Sequence, residues 1–106
     1  MKTMVRIEFY RTGWDGNNTK FFLDEGDKPS SCLIDVDAIQ AIDDVPTTNE
    51  VYNHDSRYSS DKHVPTKMYF VRTSIGVGRG INGVDFKSFW VTEDTYKKLL
   101  TMVEVI

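Results

Sequence analysis

The stretch SIGVGRGINGVDFKSFWV, Ser74 to Val91, decides what kind of sheet this chain builds. Gly78, Gly80 and Gly83 match the G-x-G-x-x-G spacing of a dinucleotide-binding turn. That turn works only where a strand passes directly into a helix, because the helix N-terminus holds the pyrophosphate. Here the residues after Gly83 are VDFKSFWV, which alternate as a strand does. The helix is missing, and so is room for a βαβ unit with its ribose-binding acid. No G-K-[ST] follows, which excludes a phosphate loop of the Walker type as well. Two strands on either side of a glycine-rich connection predict an antiparallel hairpin, with Asn82-Gly83 as its turn. Arg79 is then displayed on the hairpin tip, where a guanidinium can meet a phosphate or a partner's carboxylate.

Outward from this hairpin the other elements follow. Met68–Ile75 is rich in aromatic and β-branched residues and predicts a strand. In Val84–Val91 the alternation puts Val84, Phe86, Ser88 and Trp90 on one face. The tail TEDTYKKLLTMVEVI predicts a helix capped by Thr92, with Glu93 and Asp94 in the first turn. Tyr96, Leu99, Leu100 and Val103 have the spacing of its core-facing stripe. At the other end, Val5, Ile7 and Phe9 alternate with Arg6, Glu8 and Tyr10, so MVRIEFYR reads as a half-buried strand. TGWDGNN reads as a turn, and Lys20–Leu23 as the returning strand of a hairpin over residues 4–24. DEGDKPSS is a polar loop, and Ser31–Ile34 a short apolar strand. In the segment Asp35-Val-Asp37, an aspartate either caps one helical turn or marks a tight corner before a strand over residues 38–43. The short distance to Pro46 favours strand–corner–strand. Residues 46–67 are polar and carry two prolines. They read as a mobile insertion or as a loop hiding a short edge strand at Val51-Tyr52.

With 106 residues, 40% hydrophobic and 27% charged, the chain fits one globular domain spanning residues 1–106. The class predicted is α+β. It consists of a mainly antiparallel twisted sheet, or a small partly open β-barrel, with a C-terminal α-helix. No apolar run is long enough for a membrane span, and the N-terminus has no apolar signal segment. Cys32 is the one cysteine and reads as a small apolar strand residue. These features predict a cytoplasmic protein with no membrane association.

The net charge is −3, and it is unevenly spread. Residues 21–56 are strongly acidic, with Lys28 as their one basic side chain, while both flanks are mildly basic. Such a distribution can present unlike faces to partners. Catalytic signals are weak. His54, Asp55, Asp61 and His63 are metal-ligand types, but their loop spacing fits no standard site. No serine sits in a nucleophile elbow. The expectation is no enzyme activity, no metal and no cofactor. Lys67, Arg72, Arg79 and Lys87 near Tyr69, Phe86, Phe89 and Trp90 leave single-stranded nucleic-acid binding as the alternative.

LIDVDAIQAID resembles the strand–corner–strand of small flagellar-operon proteins of the FlbD type and of short phage-encoded β-rich proteins. FWVTEDTYKKLL is similar to their strand entering a closing helix, with Val91, Glu93 and Leu99 in corresponding places. The resemblance implies a compact β-rich fold with a C-terminal helix and a regulatory or adaptor role. It assigns no functional residue. Composition and resemblance together point to a non-catalytic module that binds another protein as a regulator, adaptor or inhibitor. Trp14, Tyr52, Tyr58 and Arg79 are its candidate contacts, since exposed aromatics and arginine dominate interface energetics.

Overall fold

The computed structural model describes residues 3–15, 18–24, 26–53, 65–77 and 86–103. The strands are β1 (Met4–Asp15), β2 (Asn18–Phe22), β3 (Ser30–Asp35), β4 (Ile39–Ile42), β5 (Thr47–Asn49), β6 (Val51–Tyr52), β7 (Thr66–Val77) and β8 (Phe86–Thr92). A 3₁₀ turn, Val36–Ala38, separates β3 from β4, and helix α1 spans Glu93–Met102. All eight strands join one open sheet in the order β4-β7-β8-β1-β2-β6. In addition, β3 pairs with β1 and β5 pairs with β7. Every pairing is antiparallel except β2 with β6. The fold is α+β, an open sheet and not a closed barrel.

The alternation of β1 sets the layers. Val5, Ile7 and Phe9 point to one face, where they meet Ile34, Tyr69, Val71, Phe89, Val91 and Leu99. Tyr10 points to the other, with Phe21, Leu23, Val51 and Met68, and Trp90 packs against them. Two clusters on opposite faces explain why β8 is apolar on both sides. Phe89 and Val91 enter the first cluster while Trp90 enters the second. The alternation of β8 holds, with Trp90 on the face opposite Phe89 and Val91. Phe9 and Phe89 meet edge to face at 5.0 Å, and Trp90 takes the same geometry against Phe70 (5.0 Å) and Phe21 (5.7 Å).

β1 runs on through Asp15, so Thr12–Asp15 is strand where a turn was expected. Gly13 makes this possible. A Cβ there would lie 3.0 Å from the Phe22 ring that crosses it. The corner Asp35–Ala38 combines both sequence readings. Asp35 caps the single 3₁₀ turn by accepting from the Asp37 N–H, and β4 follows at once. Residues 47–49 and 51–52 form β5 and β6, so the first part of the polar segment belongs to the sheet. Between β4 and β5 the edge strand breaks. Asp43 donates its N–H to Phe70, its carboxylate accepts from Val45 N–H, and Pro46 follows.

α1 begins where β8 ends. Thr92 caps it, accepting from Thr95 N–H at 3.2 Å. The helix buries Thr95 and Leu99, with Tyr96 and Met102 packed beside them. Leu99 of the expected stripe is buried, while Tyr96, Leu100 and Val103 are half-buried, Tyr96 packing against the first cluster. Tyr96 stacks flat on Tyr69 at 3.8 Å between centroids, with 2° between the planes.

Candidate functional site

The site grows from the junction of β8 and α1. The register places Phe9 opposite Val91 and Tyr10 opposite Trp90. One more step along this ladder would set Glu8 against Thr92, where the strand turns into helix. Met68 pairs with Thr92 on the other side, which brings the start of β7 to the same place. Glu8, Tyr10, Pro29, Pro65, Thr66, Lys67, Thr92, Glu93 and Asp94 consequently line one open cleft of about 490 Å³. Tyr10 is buried in the sheet beneath it, and the two prolines add rigid apolar walls.

Among the described residues, three carboxylates, Glu8, Glu93 and Asp94, line the cleft with one ammonium, Lys67. The positive end of the α1 dipole makes acids favourable at Glu93 and Asp94, which the sequence already suggested. Glu93 also pairs with Lys97 one turn on, at 3.4 Å. The phenol of Tyr10 reports the local field. Burial raises its pKa above the ordinary 10.0, and the charges of Glu8 and Asp94 raise it further.

A second surface feature lies on the ribbon β1–β2–β6. Phe22 pairs with Tyr52, and their rings lie 5.8 Å apart, tilted by 40°. Lys20 Nζ sits 4.8 Å above the Tyr52 ring centroid, a cation–π contact. Both rings are half-buried.

The expected contact residues fall as follows. Tyr52 is in β6, within this aromatic pair. Trp14 is in β1, paired with Thr19 one step from the end of the β1–β2 ladder. Tyr58 and Arg79 lie outside the described residues, as do His54, Asp55, Asp61 and His63. Among the described residues no three potential ligands gather to hold a metal ion, and no helix is long and apolar enough to cross a membrane. Cys32 is a half-buried β3 residue packed against the first core cluster.

Three of the four rings proposed for base stacking take part in packing the sheet. Tyr69 and Phe89 are buried, and Trp90 is held between Phe21 and Phe70. The acidic cleft was not anticipated. Glu93 and Asp94 were legible as first-turn acids, but Glu8, Pro29 and Pro65 reach them through pairings that no local pattern encodes. No protein-family model, curated protein or solved structure matches this chain.

Proposed function

We propose that this chain is a non-catalytic protein-binding module, acting as a regulator, adaptor or inhibitor. The observation that carries the reading is the cleft beside α1. Its carboxylates suit the lysine or arginine of a protein partner, and Tyr10 with Pro29 and Pro65 suits the aliphatic stem of such a side chain. The same charges disfavour nucleic-acid phosphates. The Phe22–Tyr52 pair supplies a separate aromatic contact of the type enriched at interfaces.

The test is affinity capture with the full chain, followed by titration of the captured protein. Asp94→Lys and Tyr52→Ala are each expected to weaken binding by about tenfold or more. A partner set untouched by both variants overturns the reading. Salt-sensitive binding of a single-stranded oligonucleotide, followed by fluorescence anisotropy, would replace it with a nucleic-acid module.

A further inference from the structure

We infer that the outer edge of β3 pairs with β3 of a second copy of this chain, forming a twofold dimer by continuing the sheet. This inference is independent of the cleft.

Backbone direction is fixed by the β1–β3 ladder. Val36 N–H donates to Thr3 at 3.0 Å, the next step beyond the pair Met4 with Asp35. Antiparallel strands alternate the edge to which their polar groups point. Ser30, Cys32 and Ile34 therefore turn their N–H and C=O toward β1, while Ser31 and Leu33 turn theirs outward. Neither outward residue has a strand partner on that side among the described residues. Leu33 is 52% exposed and Met4, on the same face, 48%. An open edge flanked by apolar side chains is a template for another strand. The edge formed by β4 and β5 is interrupted instead, by the Asp43–Pro46 excursion.

A second β3 is a good fit because the strand complements itself. With Leu33 opposite Leu33 of the other copy, each Ser31 falls opposite Asp35. Arg6 already reaches over Ser31, Nη1 to Oγ at 3.5 Å. Its guanidinium is thus aimed at the incoming Asp35 carboxylate, and the symmetry repeats this ion pair on the other side. The apolar contact at the centre joins the two exposed leucines. A contact of one strand pair belongs to the small, weak class of interfaces.

Sedimentation velocity across a concentration series tests this directly. The wild-type chain should show a reversible monomer–dimer equilibrium that weakens with added salt. Leu33→Pro removes the outward N–H, and proline is tolerated where that group faces solvent. Leu33→Lys places a charge at the centre of the pairing. Both should be monomeric with unchanged far-UV circular dichroism, and Arg6→Glu should weaken dimerisation by about tenfold or more. A wild-type chain that stays monomeric at millimolar concentration overturns the inference. A dimer that survives in Leu33→Lys overturns it too, whether or not Leu33→Pro folds.

Discussion

The backbone N–H of Glu8 donates to the hydroxyl of Thr95 at 3.0 Å, joining residues 87 positions apart. At this point β1 has lost its β8 neighbour, because β8 has become α1. The helix supplies what the strand no longer can. Thr95 accepts from Glu8 N–H, and Lys98 Nζ donates to the Arg6 carbonyl at 2.8 Å. The free edge of β1 is thereby completed by side chains. Thr92 donates its hydroxyl to Thr95 Oγ1 at 3.0 Å, so the cap and the edge are one chain of hydrogen bonds.

Thr95→Val keeps the shape but leaves the Glu8 N–H without its acceptor. The expected cost is about 1–3 kcal/mol of stability, measured by urea unfolding. Thr95→Ser should recover most of it. Equal losses for the two variants would mean that the methyl packing of Thr95 matters more than its oxygen.

Ser30 offers the opposite case. It is 3% exposed, and its hydroxyl has no hydrogen-bond partner among the described residues. Ser30→Ala removes a desolvated group that gains nothing, so stability should be unchanged or rise by about 1 kcal/mol. A clear loss in the same unfolding assay would contradict this account.

Gly13→Ala should displace the Phe22 ring, since the new Cβ would stand 3.0 Å from it. The ring lies 5.8 Å from that of Tyr52, so its displacement should be sensed there. The expected loss is about 1–3 kcal/mol, as for overpacking, with altered ring chemical shifts at Tyr52. Gly26 contrasts with it. There the space is open, and the cost of alanine comes from φ of +79° alone, about 1 kcal/mol.

Tyr10 contributes to the loss of stability at alkaline pH. Its folded-state pKa lies above the ordinary 10.0 because the phenol is buried, with Glu8 and Asp94 adding to the shift. Above the unfolded value the folded chain binds more protons than the unfolded chain. The stabilisation is complete below about pH 10 and is lost as the pH rises through the raised value. Tyr96 titrates in the same direction, through desolvation first and then Asp44, Tyr69 and Asp43. Tyr10→Phe should reduce the fall in stability above about pH 10. An unchanged pH slope would remove Tyr10 from this role.

The legible parts of the fold were those whose signal is local. Val5, Ile7 and Phe9 announce β1 by alternation, and Thr92 with Glu93 and Asp94 announces the start of α1. Residues 47–49 give no such signal, and 51–52 only a short apolar pair that allowed an edge strand, which is there as β6. They become strands because β7 and β2 offer edges to pair with. The inner stripe of α1 was half read. Leu99 follows from spacing, but Thr95 is a polar residue drawn inside by an unfilled N–H on a distant strand. The same reason hid the cleft, whose residues come from four separate parts of the chain.

The break between β4 and β5 has a consequence for how copies can add together. A sheet open on both sides can grow without end, each molecule extending the last into a fibre. Here Asp43, Val45 and Pro46 deny a continuous row of backbone groups on one side. Pairing of β3 with β3 about a twofold axis uses the same edge of both molecules, so that contact closes at two.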